Sequence, residues 1–185
     1  MVKIVADTTS CIPPAEAEQL GIPYLPQIIV FGEETYRDDT EMDPRTFLKR
    51  QRISQVLPKT AAPPPALYTP IYEDLISQGH TIIVIAPSAA VSGTVRSATV
   101  AAQDFPTADI RIIDSRTIAG GLGAMVKEAD RWANEGLDAD TIVQKVEDMA
   151  SHHRIYFMVD TLEYLYKGGR IGAAKALFGS ILQMK

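Results

Sequence analysis

The chain has 185 residues, 46% of them hydrophobic and 22% charged, enough to bury a sizeable globular core. Its net charge of −5 argues against a general nucleic-acid binder, because phosphate binding needs a basic surface. The lone cysteine, Cys11, rules out an internal disulfide. "VKIVA" (2–6) reads as a buried strand and "PPAEAEQL" (13–20) as a short helix, with proline at its start and Gly21 past its end. "IPYLPQIIVF" (22–31) is extended, and the turn "GEE" before "TYRDD" predicts a hairpin. In "DPRTFLKRQR" (43–52), Asp43 caps a helix that Pro44 opens. The proline-rich stretch from 57 begins as a loop and becomes a helix ended by Gly79. "TIIVIA" (81–86) has the uninterrupted apolar character of a parallel strand covered on both faces.

"VSGTVRSATVAAQDF" is then helical, and "DIRIID" (109–114) is a strand. Two helices follow, the second capped by Asp138 or Asp140. "RIYFMVD" (154–160) reads as a further strand and "TLEYLYKGG" as a short helix. The alternation predicts an α/β fold with a mainly parallel sheet flanked by helices. "LFGSILQMK" stops in mid-pattern, so a truncated chain is expected. No apolar run reaches the ~18 residues of a membrane span. The opening "MVKIVADTTS" is too short and polar for a signal peptide, so a cytoplasmic setting is expected.

Open α/β sheets bind ligands at the carboxyl ends of their strands. Those ends are rich here in small hydroxyls and glycines: Asp7, Thr8, Thr9 and Ser10; Ser88, Ser92, Gly93 and Thr94; Ser115 and Thr117 before Gly120 and Gly121. A helix beginning near Ser92 offers free N–H groups to a carboxylate or phosphate. Helix capping and close packing account for the same residues. Other constellations say less. His152 and His153 are adjacent, which is poor metal-ligand geometry on a helix. Cys11 is expected to be inert, and "DDTEMD" (38–43) to be a solvated loop rather than a cation site. In "YKGGRIG", Arg170 on a glycine turn suits a carboxylate or phosphate, or is simply solvated.

Taken in order, these segments resemble the DegV family of bacterial fatty-acid-binding proteins. "ADTTSCIPP" is similar to the family's opening signature, with Cys11 where an acid is usual. "LGIPYLPQIIVFGEETYRDD" resembles the strand and turn that follow. "PKTAAPPPALY" stands where the family has Thr-Ser-Gln-Pro, "SAAVSGTVRSA" resembles its Ser-Gly-Thr block, and "IIDSRTIAGGLG" and "LEYLYKGGRI" resemble two more. The resemblance implies a carrier that holds one long-chain fatty acid in an apolar tunnel. It implies that Thr60, Ser92, Gly93 and Thr94 bind the carboxylate, with Asp7, Thr8, Ser88 and Ser115 behind them.

By the same resemblance, a separate ATP-dependent kinase subunit meets the carrier at Arg170 and phosphorylates the carboxylate for phospholipid synthesis. The carrier then has no catalytic residues, cofactor or metal of its own, and only transient membrane contact. Residues 1–160 would form the lipid head-group-binding domain, and 161–185 the start of an incomplete second α/β domain. Family members continue past this point and supply a histidine to the head group. Ala61 and Ala62 depart from the pattern by removing a serine and a glutamine beside the site. The alternative is the substrate-binding subunit of a dihydroxyacetone-kinase-like phosphotransfer system. Such proteins hold substrate through a histidine, and His80, His152 and His153 all precede strands in this reading.

Overall fold

A computed structural model describes residues 1–172. Its contacts divide the chain into a compact unit, Met1–Arg154, and a second, Ile155–Lys185. The first unit contains a parallel sheet in the order β2-β1-β6-β7, built from Tyr24–Leu25, Val2–Asp7, Thr81–Ala86 and Ile110–Asp114. A second sheet is antiparallel, in the order β4-β3-β5: Glu34–Arg37, Ile28–Phe31 and Lys59–Ala61.

The helices are α1 (Pro14–Leu20), α2 (Pro44–Ile53), α3 (Pro65–Ser77), α4 (Thr94–Ala102), α5 (Ala119–Asn134), α6 (Ala139–His152) and, in the second unit, α7 (Glu163–Lys167). The predicted punctuation is present. Gly21 closes α1 in the left-handed region, where only glycine is unstrained, and the Asp43 carboxylate accepts from Arg45 N and Thr46 N. Asp138, not Asp140, caps α6 by accepting from Thr141 N.

Alternation along the strands builds a layer on each side of the parallel sheet. Ile4, Ala6, Ile83 and Ile85 pack with Leu122, Met125 and Val126 of α5 and Ile142 and Val146 of α6. Val5, Ile82 and Val84 pack on the other side with Tyr68, Tyr72 and Leu75 of α3 and Ala98 and Ala101 of α4. The small sheet buries Ile29 and Phe31 with Met42, covered by Phe47 of α2.

The element predictions need three corrections. Residues 154–160 form no strand; Tyr156, Phe157 and Met158 are exposed, and among the described residues no strand pairs with the segment. Its β-branched and aromatic residues suit a pleated surface, but a strand also needs a ladder partner. Lys59–Ala61, expected as loop, pairs with β3. The helix after β6 begins at Thr94, behind a turn that includes Ser92 and Gly93. The stretch "LFGSILQMK" (177–185), which stops in mid-pattern, lies outside the described residues.

Candidate functional site

The chain runs from β1 outward to β2, then returns to the other side of β1 to form β6 and β7. The order therefore reverses between β1 and β6, the place where open α/β sheets make a crevice at their carboxyl ends. Asp7 to Ser10 leave β1 there, and Pro87 to Gly93 leave β6.

A chain of hydrogen bonds joins the two exits. Asp7 is buried, and its Oδ1 accepts from Thr9 N at 2.9 Å and from the Thr9 hydroxyl. Gln27 Nε2 donates to Asp7 Oδ2 at 2.9 Å and to Thr94 Oγ1 at 3.2 Å. Thr94 Oγ1 lies 3.0 Å from Ser92 Oγ, which also accepts from Thr94 N at 3.3 Å. Beside this chain, Thr8 Oγ1 donates to Asp38, and Gln27 N donates to Thr8 Oγ1 and Asp38 Oδ1.

Burial raises the Asp7 carboxyl above its ordinary range; hydrogen bonds from Thr9 and from the Thr94 hydroxyl pull it partly back. The Thr94 hydroxyl also accepts from Gln27 Nε2 and lies in hydrogen-bond contact with Ser92 Oγ. Burial likewise raises Asp38, against the pull of Thr8 and of Gln27 N.

Thr60 sits on β5, exposed, with Ile29 of β3 opposite it. Its loop reaches the β6 exit at one close approach: a Cβ at Gly93 would stand 3.5 Å from Ala62 Cβ. Of the loop after Thr60, it is Ala62 that comes up against Gly93. Thr94 is buried, Ser92 half-buried and Gly93 exposed. Ser92 combines both readings of its sequence, since it accepts the Thr94 N–H of the helix start and still carries a hydroxyl at the crevice.

The residues expected behind them divide. Asp7 and Thr8 belong to the network. Ser88 N donates to Thr117 O, and Ser88 Oγ accepts from Ala90 N. Ser115 is fully buried and turned to its own loop, bonding Thr117 O and Thr117 N, which makes it a brace for the β7 exit. Arg170 lies in the second unit, where its Nη1 donates to Gly168 O at 2.7 Å. Cys11 is exposed. The acidic run 38–43 is spoken for: Asp38 bonds Thr8, Asp39 pairs with Arg37, and Asp43 caps α2. Among the described residues no acid, histidine and cysteine cluster could hold a metal.

Sequence reading missed two groups. Gln27 carried no motif, and only its place between β2 and β3 brings its amide to Asp7. His153 follows α6 in sequence but folds back on the first turn of α5, past the β7 exit. A Cβ at Gly121 would stand 2.3 Å from its Nε2 and 3.0 Å from Thr117 Oγ1. That corrects the expectation that no histidine reaches a strand exit. His153 Nε2 is buried with no hydrogen-bond partner among the described residues.

Tyr68 Oη, wholly buried under the network, is likewise without a partner among the described residues, and burial drives its hydroxyl strongly upward. An unsatisfied buried hydroxyl contributes a desolvation penalty and no hydrogen bond. Tyr68→Phe is expected to leave stability unchanged or raise it by up to about 1 kcal/mol. Urea unfolding of the two proteins checks this; a clear loss of stability would reveal a hydrogen bond at that oxygen.

The family model described as "Uncharacterised protein, DegV family" matches residues 1–185. A DegV domain-containing protein of Streptococcus pneumoniae is 37% identical over 184 residues, which cover 100% of this chain and 66% of that protein. A fatty-acid-binding DegV family protein from Thermus thermophilus has a similar structure, with a TM-score of 0.89 at 31% identity, covering 98% of this chain and 65% of that one. DegV of Bacillus subtilis, a fatty acid binding protein, gives a TM-score of 0.88 at 33% identity over the same shares. The chain thus spans 66% of the length of the pneumococcal relative. Among the described residues, no helix is long and apolar enough to cross a membrane.

Proposed function

The chain belongs to the DegV family, and from that premise we propose that it binds one long-chain fatty acid, with Thr60, Ser92, Gly93 and Thr94 at the carboxylate. The observation that supports this reading is the approach of Ala62, two residues past Thr60, to Gly93 at the crevice between β1 and β6. The family's solved members add support: those from Thermus thermophilus and Bacillus subtilis bind fatty acids. A buried acyl chain gains about 0.8 kcal/mol per methylene, so the tail supplies affinity while the hydroxyls orient the head.

On this reading the protein is a non-enzymatic carrier in the cytoplasm, without a cofactor and with only transient membrane contact. It presents the carboxylate to a separate ATP-dependent kinase, with exposed Arg170 at the encounter. Residues 1–160 are its head-group domain and 161–185 begin a second.

Native mass spectrometry with organic extraction tests the proposal. The purified protein is expected to carry a long-chain fatty acid. After delipidation, Ser92→Ala is expected to weaken palmitate binding roughly tenfold to a hundredfold, as for a lost hydrogen bond to a charged group, with Thr60→Ala in the same direction. Delipidated protein that takes up neither palmitate nor oleate would sink the carrier reading. His153 at the β7 exit favours a second reading, the substrate-binding subunit of a dihydroxyacetone-kinase-like system. That reading expects dihydroxyacetone binding that His153→Ala abolishes, and the same titrations decide between the two.

A further inference from the structure

We propose that the outer face of α2 docks on anionic phospholipid bilayers, laying Arg45, Lys49 and Arg52 against the head groups and Leu48 and Ile53 at the edge of the acyl chains. For its purpose the inference rests on the carrier reading, since it names the surface through which such a carrier meets a membrane. The surface itself is drawn from charge and exposure.

The charge is local. From Pro44 to Tyr72 the sequence holds five cations, Arg45, Lys49, Arg50, Arg52 and Lys59, and no acid. The whole chain carries −5, so without those five the rest carries −10. On other helices the cations are matched on the spot: Arg131 pairs with Glu128 and Glu135, and Lys167 with Glu163. Helix α2 has no acid for this. Arg50 turns to the small sheet, where it pairs with Glu34 and lies over the rings of Phe31 and Tyr36. Arg45, Lys49, Arg52 and Lys59 enter no ion pair among the described residues. The acids that precede the helix are engaged: Asp39 pairs with Arg37, Glu41 accepts from Arg37 N, and Asp43 caps α2.

The helical period separates two faces. Phe47 and Arg50 face the small sheet, and the Phe47 ring lies 5.7 Å from that of Phe31. Arg45, Leu48, Lys49, Arg52 and Ile53 fall on the opposite side, and all five are exposed. Ile53 is 83% exposed, and Val56, just past the helix, is exposed as well. These aliphatic groups forgo the free energy that burial would give them. A bilayer interface satisfies both kinds of residue. Its anionic head groups attract the cations, whose long stems let the aliphatic side chains between them reach the acyl boundary. A protein partner fits less well, because interface centres are rich in aromatic residues and poor in lysine, and this face has no aromatic side chain.

The placement serves the candidate site. Helix α2 leads through Val56 into β5, where Lys59 precedes Thr60, and the loop after β5 brings Ala62 to Gly93. The strand that carries one proposed carboxylate contact is therefore tied by a few residues to the docking face. Free fatty acids partition into bilayers, so docking brings that strand toward their source.

Cosedimentation with vesicles tests the surface. Delipidated protein is expected to bind vesicles of phosphatidylcholine mixed equally with phosphatidylglycerol, less so as salt rises, and not to bind phosphatidylcholine alone. Lys49→Gln with Arg52→Gln is expected to lower the partition coefficient roughly tenfold to thirtyfold, as for two cations removed from an anionic surface. Ile53→Gln is expected to lower it severalfold. Lys127→Gln with Lys145→Gln removes the same charge from α5 and α6 and should leave binding near that of the wild type. Circular dichroism melting verifies the fold of each variant, which changes at exposed positions should preserve. Absence of binding to the mixed vesicles overturns the proposal and would leave an acidic protein surface as the occupant. Binding that survives either α2 variant, or that falls equally in the α5 and α6 control, also overturns it. Palmitate titration without vesicles separates this surface from the carrier reading, and the α2 variants should keep wild-type affinity there. A wild type that binds the mixed vesicles through α2 but takes up no palmitate would overturn the carrier reading and leave the docking surface standing.

Discussion

Alanine at Gly123 is expected to destabilise the fold by about 2 to 3 kcal/mol, near the upper range for overpacking. A Cβ there would stand 2.4 Å from the carbonyl oxygen of Ser10. That oxygen belongs to the backbone of the turn leaving β1, so it has no rotamer to escape through. Alanine's helix preference returns only about 1 kcal/mol, so the clash wins and α5 must lift from the β1 exit. The melting temperature should fall by roughly 5–10 °C for a chain of this size. Gly121, half a turn earlier, is the control. Its Cβ would meet the far end of the His153 ring, which can swing away. Gly121→Ala is expected to cost less than about 1 kcal/mol, and less still once His153 is also alanine, when only the 3.0 Å approach to Thr117 Oγ1 remains. Equal losses at the two glycines would mean that α5 does not rest on the Ser10 carbonyl as described.

Ile83→Ala is expected to cost about 3 to 4 kcal/mol, in the range for a buried large-to-small change. Ile83 is wholly buried at the centre of β6, opposite Ile4 of β1 and Arg111 of β7. Its neighbours are held by strand ladders on both sides and cannot collapse into the gap. Val56→Ala, at a position 53% exposed, should stay within about 0.5 kcal/mol. Urea midpoints with an unchanged slope read both numbers. A loss below about 1 kcal/mol at Ile83 would contradict a core on that face of the sheet.

The parallel sheet was legible because its central strands, β1 and β6, are buried on both faces and read as apolar runs, "TIIVIA" above all. Helix ends were legible where a cap has its own chemistry, as at Asp43 and Gly21. β5 was hidden because Lys59–Ala61 has no alternation to show; its partner, β3, lies far back in the chain. "RIYFMVD" misled for the opposite reason, since a strand composition says nothing of whether a neighbour exists to complete the ladder. At the candidate site, the hydroxyls stood out because small polar residues cluster at strand exits. Gln27 did not, because a lone glutamine between apolar runs has no spacing that signals a role. The fold of α6 back toward α5, which brings His153 to Gly121, is a tertiary event that local pattern does not encode.

Gln27 also marks where the chain changes sheets. Leu25 ends a strand of the parallel sheet and Ile28 begins one of the antiparallel sheet, with only Pro26 and Gln27 between. A connection this short has no slack, so its length is as constrained as its composition. One residue inserted or deleted there would turn Ile29 and Phe31 out of their pocket while pulling residue 27 from Asp7. Substitutions elsewhere in the small sheet can be absorbed one at a time, whereas a single indel at this junction would damage both sheets at once.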